Sequence, residues 1–336
     1  MTPRPLTSRR AYDVLAMGRS SIDLYAHEIG RADDRRARAS TRYVGGCPTN
    51  VSVGTRRLGL RSALLTAVGD GSGRRVRHRT SSIASTVDTR FIPRKPGRRT
   101  SAVHPDDPAA GQVSAHLLSR QLRRPRTDDR RRRRGRRSAT AACVLLTGTG
   151  LSHEPSRARR CTRRRAGARA PACRSIVDID YRAGSMGRRR QRSPPQMQAA
   201  AALRRTLAVG TEEEARGGGR RRDRHRSGGG HDPRLRHRSA DSEARRRAGR
   251  RCSAPRIAPT DVAPFPVEVL NVLGAGDAFA SGFIYGLPAG LDAASARRAW
   301  ATPRGAIVVT RHGCANFMPT LDRGRRVRRR AGRIAI

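Results

Sequence analysis

The chain has 336 residues, enough for one large α/β domain or two smaller ones. Its charge is extreme: 73 Lys and Arg stand against 26 Asp and Glu, a formal net charge of +47, and aromatic residues make up only 3%. No apolar run reaches the ~20 residues that a membrane-spanning helix needs, which argues against a membrane protein.

Arginine carries almost all of the positive charge, because Lys95 is the single lysine. Runs such as Arg130–Arg134 are separated by stretches with ordinary globular patterning. Two interpretations of the runs stay open. The first is a protein that binds nucleic acid non-specifically through phosphate contacts, although stacking aromatics are scarce. The second is that frameshifts in GC-rich coding DNA have replaced several segments and left an inactive relic.

The six cysteines form no C-x-x-C pair, and no apolar signal region precedes them. We therefore expect reduced thiols and a cytoplasmic protein.

Residues 1–11 predict a loose leader, and Tyr12–Met17 predicts a buried first strand. Arg19 and Asp23 follow the carboxyl end of that strand, where open α/β sheets bind ligands. The Asp23 carboxylate could accept hydrogen bonds from sugar hydroxyls, and Arg19 could pair with a substrate carboxylate. For each residue the alternative is a solvated loop charge. A short strand is predicted at 24–29.

Gly45 and Gly46 predict a turn that another part of the chain approaches closely. A helix is expected to begin around residue 48, at a proline, and to end at Gly59. Asn50 would then lie near the N-terminus of this helix, where its amide could hydrogen-bond a polyol.

Short apolar runs spaced tens of residues apart are typical of buried parallel strands. Their alternation with helix-length intervals predicts a doubly wound sheet. The arginine-rich intervals carry no apolar stripe, so we expect them to be irregular. The predicted strands lie at 62–68, 143–147, 175–179, 207–210 and 306–310.

The motif GAGD at 274–277 carries the chemistry. It lies between a predicted strand end at 267–270 and a predicted helix at 278–287. Glycines allow a sharp turn, and a helix N-terminus adds N–H donors, which together suit a phosphate. Asp277 would repel phosphate, so it is predicted to be the base that takes a proton from the attacking hydroxyl. A plain glycine turn with Asp277 as helix cap is the alternative.

Three stretches resemble the PfkB, or ribokinase-like, carbohydrate kinases. They are the start at 13–29, GGCPTNVSVGTRRLGLRSALLTAVGD at 45–70, and VEVLNVLGAGDAFASGFIYGL at 267–287. Shorter segments, among them 176–182 and 305–319, follow in the family's order. The resemblance implies an α/β/α three-layer sandwich with a mostly parallel central sheet and a small β lid. It also implies an ATP-dependent sugar-acid kinase, most similar to members that phosphorylate the terminal hydroxyl of 5-dehydro-2-deoxy-D-gluconate in myo-inositol catabolism.

The resemblance further implies roles for single residues near the phosphate. The backbone of Gly274, Ala275 and Gly276 would form the anion hole, with Asp277 as base. Glu214 would hold Mg²⁺ through water and, with Thr211 in place of the family's Asn, would contribute to the nucleotide site.

On the sugar side, the matching residues are Asp23, Gly45, Gly46 and Asn50. Arg19 and Arg98 are candidates for the substrate carboxylate, and Arg182 could touch either ligand.

The implied kinase domain spans 12–320, with lid elements at about 20–46 and 88–120 and a basic tail at 321–336. Segments 104–140, 153–174, 183–206 and 216–260 do not match the family pattern. Asn271 stands where the family has Asp, which puts a monovalent-cation contact in doubt, and Pro303 is expected to break a helix beside the nucleotide. The expected partners are a sugar acid and ATP, with no membrane; a homodimer formed through the lids is a further expectation.

Overall fold

The computed structural model describes residues 10–26, 40–69, 87–97, 100–105, 115–117, 141–148, 174–180, 206–211, 241–245, 249–254, 257–262, 265–287, 300–311 and 313–334.

Strands make up most of the described elements. In chain order they are β1 (Tyr12–Met17), β2 (Ser21–Ala26), β3 (Ser40–Gly45), β4 (Ser62–Leu65), β5 (Val68–Gly69), β6 (Arg94–Lys95), β7 (Ser101–Pro105), β8 (Ala115–Leu117), β9 (Ala141–Thr147), β10 (Arg174–Asp178), β11 (Thr206–Thr211), β12 (Asp241–Arg245), β13 (Gly249–Ala254) and β14 (Ile257–Val262).

The central sheet has the order β14-β13-β12-β11-β10-β9-β1-β4. Neighbouring strands from β4 to β12 are parallel, whereas β13 and β14 pair antiparallel at one edge. The predicted mostly parallel sheet is therefore confirmed. Because the carboxyl ends of parallel strands meet at one edge, the residues that end or follow β1, β9 and β10 lie close together there.

A smaller sheet forms the predicted lid, with the order β3-β2-β7-β8. Asp23, in the middle of β2, lies opposite Tyr43 of β3 and Val103 of β7. The predicted strand at 24–29 begins earlier than expected, because the ladder already includes Ser21.

Four described α-helices accompany the sheets: α1 (Cys47–Arg57), α2 (Ala275–Gly286), α3 (Thr302–Val308) and α4 (Leu321–Ile334), and a short 3-10 helix spans Ala315–Phe317. In α1 the proline occupies the first turn, where its missing N–H costs no hydrogen bond, and Gly59 just beyond the end has φ +95°. Among the residues that the structure describes, no helix is both long and apolar enough for a membrane crossing.

The main core lies between the sheet and helices α1 and α2. Leu145 and Ile176 of the sheet belong to the same buried cluster as Phe279 and Phe283 of α2. Each such side chain contributes about 1.5–3 kcal/mol to stability when fully buried. These contacts hold the N-terminal turns of both helices near the carboxyl edge of the sheet.

Two predicted strands are wrong. Residues 267–270 form no strand, and Val267 and Val269 are 38% and 54% exposed. The predicted strand at 306–310 is replaced by α3, which ends at Val308. Pro303 does not break this helix, because it lies in the first turn, where proline is tolerated.

In two places the structure differs from the expected irregular arginine-rich coil. The strands β12 and β13 extend the central sheet, and the basic tail forms α4. Leu321 at the start of α4 packs against the main core, which explains how a helix rich in arginine is anchored.

Candidate active site

The Asp277 carboxylate lies in the first turn of α2 and is half-buried. Asn50 Nδ2 donates a hydrogen bond to Asp277 Oδ2 over 2.6 Å. This bond joins the N-terminal turn of α1 to that of α2, and it fixes the orientation of the carboxylate. The sequence predicted both as site residues, although they are 227 positions apart in the chain. The fold brings them into contact.

The backbone before Asp277 has the form expected of an anion hole. Gly274 has φ +81°, a left-handed conformation that favours glycine, and no side chain caps α2. The N-cap residue is this glycine, so it has no side-chain oxygen to offer the N–H groups of the first helical turn. A Cβ added to Gly276 would meet nothing within 4 Å, so open space adjoins this turn.

Asp23 forms a second, buried carboxylate beside Asp277. Ser21 Oγ donates to Asp23 Oδ1 over 2.7 Å. Burial raises the pKa of Asp23 to about 6; the Asp277 charge also raises it, while Ser21 and Arg19 act in the opposite direction. A Cβ on Gly45 would lie 1.7 Å from Asp23 Oδ2, so only glycine fits there.

Arg19 and Gly46 lie where the loop after β1 meets the lid and the start of α1. One Arg19 guanidinium nitrogen donates to Ser101 Oγ of β7 over 2.9 Å. Gly46 has φ +91°, and a Cβ there would lie 2.4 Å from the Arg19 carbonyl oxygen. The turn predicted from the two glycines thus brings the start of α1 against the loop that follows β1.

Cys47 and Asp178 complete the floor of the site, and sequence reasoning gave neither a role. The Cys47 thiol donates to Asp178 Oδ2 over 3.5 Å, and both side chains are buried. Burial raises the pKa of the Cys47 thiol well above its ordinary value, and the charges of Asp178 and Asp277 add to that rise. Asp178 could have been recognised from the sequence by its position at the end of β10, because open α/β sheets bind ligands at the carboxyl ends of their strands.

Behind the glycine turn, Tyr25 and Cys314 link the lid to the loop after α3. The Tyr25 hydroxyl and Cys314 Sγ are 2.9 Å apart, and Cys314 Sγ lies 3.3 Å from where a Cβ of Gly274 would be. Asn271 is buried, and its Oδ1 accepts a hydrogen bond from the Leu273 N–H. These contacts stabilise the turn that precedes α2.

Of the four predicted ligand residues that remain, the structure describes only Thr211. Thr211 ends β11, at the same edge of the sheet as Asp178. Arg98, Arg182 and Glu214 lie outside the described residues, so their roles stay predictions.

Comparison with known sequences agrees with this geometry. The sequence model of the pfkB family carbohydrate kinases matches residues 12–104 and 258–321, the two ranges that contain Asp23, Asn50 and Asp277. Over these two ranges the chain is similar to the pfkB family. The match indicates a phosphotransferase that acts on an alcohol group. The unmatched middle, 105–257, contains many of the arginine runs.

Relatives of known activity extend over nearly the whole chain. The 5-dehydro-2-deoxygluconokinase of Shouchella clausii is 26% identical over 328 residues, 93% of this chain and 94% of that protein. The enzyme of the same name from Geobacillus kaustophilus is 28% identical, covering 94% of this chain and 93% of that protein. Over a shorter stretch of 70 residues, the Bacillus anthracis enzyme is 39% identical.

Solved structures share the fold. A sugar kinase from Pyrococcus horikoshii in complex with ATP superposes with a TM-score of 0.73 at 21% identity, covering 94% of this chain and 99% of that chain. A fructokinase from Vibrio cholerae with fructose, ADP and calcium gives 0.70 at 19% identity, covering 94% and 98%. The predicted ribokinase-like fold is confirmed.

Proposed function

We propose that this protein is a kinase of the pfkB type that phosphorylates the terminal hydroxyl of 5-dehydro-2-deoxy-D-gluconate, with ATP as phosphoryl donor. The observation that carries the proposal is the Asn50–Asp277 pair at the uncapped N-terminus of α2, beside the buried Asp23. A base, an anion hole and a hydroxyl acceptor are what phosphoryl transfer to an alcohol requires. The relatives named for this sugar acid supply the choice of substrate.

Each described residue has one task. Asp23 accepts hydrogen bonds from the sugar hydroxyls, and Arg19, near it, pairs with the acid group. Asp277 takes the proton of the attacking hydroxyl as that oxygen bonds to the γ-phosphorus and ADP leaves. Asn50 keeps Asp277 oriented throughout. The N–H groups of Gly274, Ala275 and Gly276 stabilise the negative charge on the transferred phosphoryl group.

The chain also offers donors for the Mg²⁺ that phosphoryl transfer uses. Thr211 leaves the sheet at the same edge as Asp178, and Glu214 follows it in the sequence. Hydroxyl, carboxylate and water oxygens are the ligands that Mg²⁺ prefers, so these residues fit the ion. When bound, the metal would neutralise charge on the ATP phosphates. The monovalent cation stays a prediction.

The test is ADP release from ATP with 5-dehydro-2-deoxy-D-gluconate, with fructose and ribose as comparison substrates. Asp277→Asn should lower kcat about 10²–10⁴-fold, because the amide cannot accept the proton. Asp322→Asn is the matched control, since that side chain is 77% exposed on α4, and it should leave kcat unchanged.

Retention of wild-type turnover by Asp277→Asn would contradict the assigned base. A soluble chain with no turnover on any sugar, and with RNA binding that falls steeply with salt, would favour the nucleic-acid interpretation of the arginine runs. An insoluble chain would favour the frameshift interpretation.

A further inference from the structure

A thiol and two carboxylates meet at the floor of the site. Cys47 begins α1, Asp178 ends β10, and Asp277 lies in the first turn of α2. One ligand atom from each, the Cys47 Sγ and a carboxylate oxygen of each aspartate, lies within 4.8 Å of the other two. Residues from three separate elements thus form a compact set of donors that the proposed kinase mechanism uses only in part.

The spacing of these atoms suits a tetrahedral metal ion. Zinc–sulfur and zinc–oxygen bonds of about 2.3 and 2.0–2.2 Å place a bound sulfur and oxygen about 3.6 Å apart in a tetrahedron. Cys47 Sγ and Asp178 Oδ2 are already 3.5 Å apart. The Asp277 carboxylate oxygen lies within 4.8 Å of both atoms, so a small side-chain movement would bring it to the same spacing. Asp277 is the least buried of the three ligand residues.

The Asn50 side chain gives independent support for a ligand here. Asn50 is 2% exposed, and its Oδ1 has no hydrogen-bond partner among the described residues. Its Nδ2 is the atom that contacts Asp277, so Oδ1 lies beside the same donor set. A buried acceptor without a donor is costly, and a water molecule on the fourth position of a metal ion would supply that donor.

We propose that Cys47, Asp178 and Asp277 bind a thiophilic divalent cation of the Zn²⁺ or Cd²⁺ class, and that this ion inhibits the enzyme. Thiolate ligands select such ions, whereas Mg²⁺ is bound by oxygen. The Cys47 thiol releases its proton to solvent when the metal binds. The ion and catalysis exclude each other, because an Asp277 oxygen that coordinates a metal cannot accept the substrate proton; this second half rests on the proposed function.

The first test measures binding without activity. Zn²⁺ binding is followed by calorimetry, and Cd²⁺ binding by the thiolate-to-metal charge-transfer absorption, in the wild type, Cys47→Ser and Cys143→Ser. Cys143 is the matched control, since it is also a buried free cysteine, in β9. Cys47→Ser should weaken one site at least about 10–100-fold, and Cys143→Ser should not. Equal affinity in Cys47→Ser and the wild type would overturn the site.

A second measurement needs no variant. Alkylation of Cys47 in the wild-type protein is followed by peptide mass spectrometry, with Zn²⁺, with Mg²⁺ and with neither. Zn²⁺ should slow modification of Cys47 at least tenfold, Mg²⁺ should not, and modification of Cys143 should not respond to either ion. An unchanged rate at Cys47 would overturn the proposal even if Cys47→Ser failed to fold.

The activity measurement separates this proposal from the kinase proposal. At constant Mg²⁺, Zn²⁺ should inhibit ADP release by the wild type and by Cys143→Ser, a chelator selective for Zn²⁺ over Mg²⁺ should restore it, and Cys47→Ser should resist inhibition at least tenfold. Full turnover with the ion bound at Cys47 would overturn its inhibitory role. Metal binding at Cys47 in a chain without turnover on any sugar would support the site and contradict the proposed function instead.

Discussion

The two ends of α2 are built in opposite ways. At the N-terminal end, a Cβ on Gly276 would meet nothing within 4 Å, and polar groups gather around Asp277. At the C-terminal end, a Cβ on Gly282 would lie 2.2 Å from the Trp300 carbonyl oxygen, and every side chain from there to the end of the helix is buried. The C-terminal end of α2 is therefore tightly packed, whereas open space adjoins its N-terminal end; we call these the closed end and the open end.

The same difference holds for buried charge. Asp23 is buried beside the open end, where a sugar hydroxyl could replace its lost water. Arg304 is 1% exposed beside the closed end, where it donates to the Trp300 carbonyl oxygen over 2.7 Å. Its guanidinium carbon also lies 5.2 Å and 5.9 Å from the ring centres of Trp300 and Tyr285. The Asp23 carboxylate lies beside the turn where we propose that the ligand binds, whereas the Arg304 guanidinium is enclosed by the protein itself.

The largest effect on stability is expected at Arg304. Truncation in Arg304→Ala would leave a cavity and should cost about 2–5 kcal/mol in the free energy of unfolding, as other large-to-small changes in cores do. Arg304→Met keeps the volume and removes a desolvated charge, so it should differ from the wild type by less than about 1.5 kcal/mol. Denaturant unfolding measures both.

The pair of variants decides what Arg304 contributes. If Arg304→Met is as unstable as Arg304→Ala, the positive charge itself stabilises the packing at the C-terminal end of α2. The proposed difference between Arg304 and Asp23 would then be wrong. The KM for the sugar should be the same in Arg304→Met and the wild type.

Asp23→Asn should give the next largest effect, and it depends on pH. Since the pKa of Asp23 in the folded protein, about 6, lies above the ordinary value of about 4, the unfolded chain releases this proton first. Stability is therefore lost as pH rises from about 4 to 6. The asparagine variant lacks that loss, so its unfolding free energy relative to the wild type should rise by about 3 kcal/mol across this range.

Substrate binding should become weaker in Asp23→Asn at neutral pH, where the stability of this variant relative to the wild type is higher. Asp23→Asn should raise the KM for the sugar at neutral pH, and the wild-type KM should rise as pH falls below about 6, because the neutral carboxyl is a weaker acceptor. A stability difference that stays flat with pH would contradict the burial of Asp23. The nearby groups Arg19, Asp277 and Cys314 are the same in both proteins.

The smallest change in stability is expected from alanine substitutions at two glycines of α2. Gly282→Ala should cost about 1–3 kcal/mol, because a methyl group would press on the Trp300 backbone. Gly276→Ala should leave stability unchanged or raise it by up to about 1 kcal/mol, since alanine favours helix. Thermal unfolding distinguishes them.

For kcat we expect the opposite order, with the larger loss in Gly276→Ala. Gly276→Ala places a methyl group in the open space where the phosphate is proposed to bind, so kcat should fall although the protein is stable. Normal kcat in Gly276→Ala would place the phosphate elsewhere.

Local sequence was informative where backbone chemistry leaves few choices. Glycines at 45–46 and 274 mark conformations or close approaches that other residues disfavour, and both predicted turns occur. The apolar run 306–310 was misleading, because its β-branched residues favour a strand. There, packing of α3 around Arg304 outweighed the local preference.

The sequence by itself indicated the likeness to the pfkB family, the parallel sheet with its lid, and the residue types of the candidate site around Asp277, because motifs and apolar periodicity are local. Only the tertiary structure decided that Asn50 holds Asp277, that Asp23 is buried enough to raise its pKa, and that Cys47 and Asp178 lie beneath them. Those facts depend on distances between residues far apart in the chain, which no local pattern encodes. The GAGD motif predicts a phosphate site, and the residues around the motif suggest which other ligands that site could bind.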